Sequence, residues 1–142
     1  KEERSNICFL ANTPVETDQG EIAIDKLIPG THTINNKRIV GISKTQSNEN
    51  NLVKIKKDAL GLNTPSKDTI ISQWHKVRYY DKMIPAMFLV KVVNSVESVK
   101  YEDDILYNVL MDEYSEMRVN NMVCETLHPD NEVAKKIMNS VN

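Results

Sequence analysis

Short apolar segments recur along the whole chain, each closed by Asn, Asp, Gly, Ser or Pro, and this close spacing suits strands joined by tight turns. Ile7 to Leu10, Pro14 to Thr17 and Glu21 to Ile24 read as strands, with Asp18-Gln19-Gly20 turning between the last two. Gly30 to Ile34 and Lys37 to Ser43 flank Asn35-Asn36. Asparagine tolerates the positive φ that a two-residue hairpin turn demands, so this pair predicts a hairpin. Gln46 to Asn51 is a polar surface loop, Leu52 to Lys56 is a further strand, and Asn63-Thr64-Pro65-Ser66 breaks the chain before Asp68 to Ile71. Three longer strands are expected over Lys91 to Tyr101, Ile105 to Met111 and Met117 to Leu127, the last interrupted by a second hairpin-like pair, Asn120-Asn121. The fold class these segments imply is all-β.

Helical periodicity is nearly absent before the tail. There, Val133, Ile137 and Val141 recur every four residues behind Asp130 and Asn131, either of which can cap a helix start. A short C-terminal helix over Asp130 to Met138 is therefore expected, separated by the break at Leu127-His128-Pro129. It either docks on the outside of the domain or begins whatever follows in a longer protein.

A chain of 142 residues is one domain, large enough to bury about two-thirds of its unfolded surface without disulfides. Its 18 basic and 20 acidic residues leave a formal charge of -2, which offers no excess for binding polyphosphate. The one basic cluster, Lys54-Lys56-Lys57, alternates like a solvated strand face, so nucleic acid is not an expected partner. No apolar run is long enough to span a membrane. The polar start, Lys1 to Asn6, resembles neither a signal peptide nor an initiator, and suggests a module of a larger protein. Two cysteines suit a reducing, cytoplasmic compartment, and a monomer is expected.

Chemistry is suggested first by Ile7-Cys8-Phe9-Leu10, where a cysteine heads the first apolar run. Such a thiol can attack the carbonyl of its own preceding peptide bond, provided that it is oriented and the departing nitrogen receives a proton. The competing reading is a small buried hydrophobe. Ser72-Gln73-Trp74-His75 follows the Ile70-Ile71 strand and sets a hydroxyl and an imidazole three residues apart. An imidazole can protonate a leaving amide nitrogen, and a hydroxyl can polarise the bond or orient the ring; by itself the pair is a weak signal, and a surface turn is the ordinary reading.

The order of the pieces narrows these alternatives. Cys8, then Val15-Glu16-Thr17 and Gly20, then Leu27-Ile28-Pro29-Gly30, then Pro65-Ser66-Lys67-Asp68 leading to Ser72 and His75, then Ile84-Pro85-Ala86, and finally Tyr107-Asn108-Val109, Asn120-Asn121 and Glu125-Thr126 together resemble the Hint family of Hedgehog and intein autoprocessing domains. The likeness is nearest to non-splicing modules of bacterial and viral proteins. It implies a horseshoe-like β-fold over residues 8–127, with residues 1–7 as an upstream flank and 128–142 as a helical tail. It also implies an N-to-S acyl shift, in which Cys8 attacks the Ile7 carbonyl while Ser72 and His75 strain and protonate the amide. The substrate is then the protein's own upstream polypeptide, and water, a thiol, an amine or an alcohol accepts the acyl group.

Two departures from the family pattern bear on the outcome. Splicing members end in a His-Asn pair whose asparagine cyclises; here the matching positions read Glu125-Thr126, and threonine forms no succinimide. Splicing is therefore not expected. The family's second-step histidine or aspartate falls near Tyr114, where Asp112, Glu113 and Tyr114 crowd the position. Tyrosine is a poor base near neutrality, so a neighbouring carboxylate substitutes or the step is weakened. Cys124 reads as core, or as a residue approaching Cys8 if the last strand passes beside the first. A metal set drawn from Cys8, His32, His75, Cys124 and His128 lacks paired close spacing, and no cofactor is expected. The functional expectation is single-turnover, cysteine-dependent self-cleavage at Ile7-Cys8, with a catalytically degenerate Hint-fold spacer or interaction module as the alternative.

Overall fold

The computed structural model describes residues 7–127, 130 and 134–136. Their strands are β1 (Phe9–Leu10), β2 (Pro14–Thr17), β3 (Gly20–Ala23), β4 (Thr33–Ile34), β5 (Lys37–Thr45), β6 (Asn51–Ile55), β7 (Thr69–Ser72), β8 (Lys76–Tyr79), β9 (Lys82–Pro85), β10 (Val96–Lys100), β11 (Leu106–Met111), β12 (Glu116–Val119) and β13 (Met122–Glu125). One helix, α1 (Ala86–Val92), lies between β9 and β10. The strands form two antiparallel sheets among the described residues, ordered β10-β6-β7-β1-β11-β5-β4 and β3-β2-β12-β13-β8-β9. The all-β expectation holds.

Both asparagine pairs turn hairpins. Asn35 and Asn36 have φ of 53° and 65°, and Asn120 and Asn121 have 47° and 68°, the left-handed conformation that the tight primed turns require. The run read as one interrupted strand from Met117 is thus the β12–β13 hairpin, with Val119 opposite Met122.

Three expectations need correction. Helical periodicity is not confined to the tail: α1 is a helix, although only Ala86 and Leu89 of its seven residues are buried. Two inward positions over two turns leave too weak a period to stand out. The strand expected from Lys91 begins only at Val96, because Lys91 and Val92 close that helix. The hairpin of β8 and β9 has no counterpart among the expected strands; its burial pattern shows a single buried residue in β8, Val77, and none in β9.

The main core unites both sheets, with Phe9, Val15, Ile39, Ile71, Leu89, Val109, Met117 and Cys124 in one cluster. A second, smaller cluster holds Cys8, Leu52, Tyr101 and Leu106, against which Leu10 and Ile70 pack. Phe9 therefore faces one side of β1 while Cys8 and Leu10 face the other, the alternation that an extended chain imposes. Most of the tail helix expected over Asp130 to Met138 lies outside the described residues. Residues 134–136 are helical, and Ala134 packs on Leu110 and Leu127.

Candidate active site

Strand β1 sits between β7 and β11, with Phe9 opposite both Ile71 and Tyr107. The Ile7-Cys8 peptide thus emerges where the end of β7 turns into the Ser72-to-His75 loop. The Ser72 amide donates to the Cys8 carbonyl at 3.0 Å. In return, the Cys8 amide donates to Ser72 Oγ at 2.8 Å. The nitrogen of the Ile7-Cys8 bond is therefore held by a hydroxyl.

His75 is fully buried and its ring lies 4.5 Å from that of Phe9, centroid to centroid. Nε2 is 2.8 Å from the Glu125 carbonyl oxygen. That oxygen can only accept, so Nε2 carries the proton and the neutral ring leaves Nδ1 with a lone pair. Nδ1 is buried and has no hydrogen-bond partner. Burial pushes the imidazole pKa down to about 4, against smaller upward effects from the Glu125 and Cys8 backbones. The ring consequently stands against Phe9, the residue after Cys8, with one nitrogen able to take and return a proton. Its position is fixed by the loop: the His75 amide donates to the Ser72 carbonyl, the Ala86 amide at the start of α1 donates to the His75 carbonyl, and the Lys76 amide donates to the Glu125 carboxylate.

The neutral ring makes a stability prediction. The unfolded chain, with an ordinary imidazole near 6.5, takes up a proton before the folded chain does as pH falls. The stability from keeping His75 neutral is complete above about pH 6.5 and is lost progressively towards about pH 4, roughly 3 kcal/mol in all. Thermal melting across this window should fall less steeply for His75→Gln than for the wild type; parallel curves would sink the assignment.

The Cys8 side chain faces the side of β1 away from Phe9 and the His75 ring. Its thiol is 2 % exposed, faces the smaller apolar cluster and lies 3.6 Å from Thr45 Oγ1. Burial pushes its pKa up to about 12, partly offset by the Thr45 contact. At neutral pH the sulfur is thus protonated and the imidazole is not. The carbonyl of Ile7 meets the side-chain amide of Asn108, whose Nδ2 donates to it at 2.6 Å. Thr45 and Asn108 escaped sequence reasoning as site residues. Asn108 carried a signal in Tyr107-Asn108-Val109; Thr45 carried none, since only the pairing of β5 with β11, and of β11 with β1, brings it near Cys8.

The remaining expected residues divide differently. Arg38 donates from Nε and Nη2 to the Asp112 carboxylate at 3.1 Å each, and Lys37 donates to Glu113 at 3.1 Å. Both carboxylates are exposed and lie at a surface cleft with Lys37, Arg38 and Ser115. Tyr114 is partly exposed, and burial, with the Glu125 and Glu116 carboxylates, pushes its phenol pKa up. The fully buried Thr126 hydroxyl donates to the Ser115 carbonyl and accepts from the Ser115 amide, anchoring the turn before β12. Cys124 is fully buried in the main core, where burial, with the Glu125 carboxylate, pushes its thiol pKa up. Its strand lies between β12 and β8, not beside β1 as one sequence alternative required, because the two strands belong to different sheets.

No curated protein matches the chain. A solved structure of a glutathione-linked, splice-inactive variant of the AceL NrdHF class 3 split intein is similar at 10% identity and a TM-score of 0.48, covering 85% of this chain and 97% of its own. The Hint domain model matches residues 7–131, beginning one residue before Cys8 and reaching past β13. With that match spanning both sheets, the chain belongs to the Hint domain family of autoprocessing modules.

Proposed function

We propose that this Hint domain cleaves its own Ile7-Cys8 bond by an N-to-S acyl shift and does not splice. The observation that carries the reading is the hydrogen bond from the nitrogen of this peptide to Ser72 Oγ, with the His75 ring held by the same loop and packed on Phe9, the residue after Cys8. The thiol gives up its proton to solvent, the sulfur bonds to the Ile7 carbonyl carbon, and the carbon–nitrogen bond breaks. His75, protonated from solvent, delivers a proton to the Cys8 nitrogen. A thioester and a free amine result. An acceptor, whether water, a thiol, an amine or an alcohol, then takes the acyl group and returns a proton to the sulfur.

In this reading the thiol and the imidazole, on opposite sides of β1, act on the peptide from opposite faces. When sulfur adds from one face of a planar amide, the nitrogen lone pair develops on the far face, where an acid is needed. A proton donor with a pKa near 4 surrenders its proton readily, although little of it is charged at neutral pH. A buried thiol near 12 is a poor nucleophile until it ionises. Both features support slow turnover that waits for an added nucleophile. The reading takes residues 1–7 as the released flank, 8–127 as the acting domain and 128–142 as a tail. Cys8 and Cys124, neither of them in a disulfide, suit a reducing compartment such as the cytoplasm, and the unit acts as a monomer.

Intact-mass analysis of the purified protein with excess dithiothreitol or hydroxylamine tests this. A fragment beginning at Cys8 is the expected product. An unchanged mass under both nucleophiles favours the degenerate spacer module, a reading supported by the ion pairs that hold Asp112 and Glu113 at the surface.

A reporter fused after Asn142 should stay attached throughout. Release after an asparagine requires its side-chain amide to close a five-membered imide, and the Thr126 hydroxyl has no equivalent and is bonded to Ser115. Free reporter, or a product joining the upstream flank to the reporter, would show a splicing domain.

A further inference from the structure

Resting on the cleavage reading, we infer that Asn108 is a catalytic residue that stabilises the oxyanion formed when Cys8 adds to the Ile7 carbonyl. The pairing of β1 with β11 ends at Phe9 opposite Tyr107, and the same register would set Cys8 opposite Asn108. Beyond that end, the Asn108 side chain takes over and donates from Nδ2 to the Ile7 carbonyl oxygen at 2.6 Å. Oδ1 accepts from the Val109 amide at 2.8 Å. An amide N–H bonds only to an acceptor, so this contact fixes which end of the Asn108 amide is nitrogen and aims the NH2 at Ile7. Asn108 is fully buried, while the contact it makes with the partly buried Ile7 is itself part-buried.

The carbonyl oxygen carries a partial charge before attack and nearly a full one after sulfur has added. A preorganised donor therefore binds the tetrahedral species more strongly than the amide, which is the condition for accelerating the step. The partly buried surroundings strengthen the difference, because the effective dielectric there is lower than that of water. Ser72 and Asn108 thus hold opposite ends of one peptide bond, hydroxyl to nitrogen and amide to oxygen. Their contributions differ in time: the Asn108 bond tightens as sulfur adds, while the N–H bond to Ser72 belongs to the planar amide.

The test compares cleavage rates of the whole chain with excess dithiothreitol. Asn108→Ala should slow release of residues 1–7 by about 10²–10³-fold, the loss typical of removing one oxyanion donor. Asn108→Asp keeps the shape and the acceptor for Val109, and decides the matter if the alanine variant folds poorly. When ionised, the introduced carboxylate has no proton to donate and sets a negative charge against the carbonyl; when protonated, it can donate. The rate of Asn108→Asp relative to wild type should therefore climb as pH falls, a trend that packing alone does not produce. A third readout needs no turnover: in the uncleaved protein labelled with 13C at the Ile7 carbonyl, Asn108→Ala should shift that resonance in the direction of a lost hydrogen bond. A folded alanine variant that cleaves like wild type, a rate ratio for Asn108→Asp that stays flat with pH, or an unmoved resonance overturns the inference while leaving self-cleavage intact. A wild-type chain inert to thiol and hydroxylamine overturns the cleavage reading first, and the catalytic role with it.

Discussion

Cys8→Ala is expected to abolish thiol-induced release of residues 1–7, with no residual cleavage at any bond. The acyl shift forms a bond between Sγ and the Ile7 carbonyl carbon, and alanine has no atom to take its place. The fold should tolerate the change. The sulfur occupies the smaller of the two sizeable clusters, and the backbone bonds that seat the residue, Ser72 to its carbonyl and its own amide to Ser72 Oγ, use no atom of the thiol. Retained circular dichroism with an unchanged intact mass after overnight exposure to dithiothreitol is the expected result. Cleavage that persists, or maps elsewhere, removes the acyl shift from the mechanism.

The next largest effect belongs to His75. His75→Ala should slow cleavage by about 10²–10⁴-fold, the range for losing a positioned acid or base. Among the described residues, this imidazole has its Nδ1 unpartnered in the interior and its other nitrogen anchored on Glu125. Alanine also strips the ring from Phe9 and leaves the Glu125 carbonyl without its donor, an omission worth about 1–3 kcal/mol. His75→Gln is therefore the companion variant, since glutamine can restore a donor to that carbonyl without supplying a titrating group. Both variants should be slow at a temperature where melting curves show them folded. A folded variant that cleaves at the wild-type rate relieves His75 of any catalytic part.

The candidate site divides along the same line as the fold. Cys8, Ser72 and His75 were legible through the order of motifs along the chain, since a cysteine heading an apolar run and a Ser-x-x-His turn at a strand's end are each weak signals alone. Asn108 and Thr45 touch the same peptide or sulfur only through the register of β11 with β1 and β5, pairings more than thirty residues apart in sequence. The crowded carboxylates at Asp112 and Glu113 illustrate the converse. Their place in the chain suggested chemistry, and the pairing of β5 with β11 brought Lys37 and Arg38 across to pair with them.

Local residue chemistry alone determined the all-β class and both asparagine hairpins, because positive φ in a two-residue turn depends on the turn residues themselves. It determined, too, that position 126 offers no imide, since that follows from the side chain whatever surrounds it. Tertiary structure alone decided that β13 joins the sheet away from β1, that α1 forms from a stretch too short to show a period, and that the Cys8 thiol and the His75 ring come to lie on opposite sides of β1. Those outcomes depend on which distant strands pair and what they bury. Burial then set the protonation states: the same thiol and imidazole in water would titrate near their ordinary values, and only the packed interior drives them to about 12 and about 4.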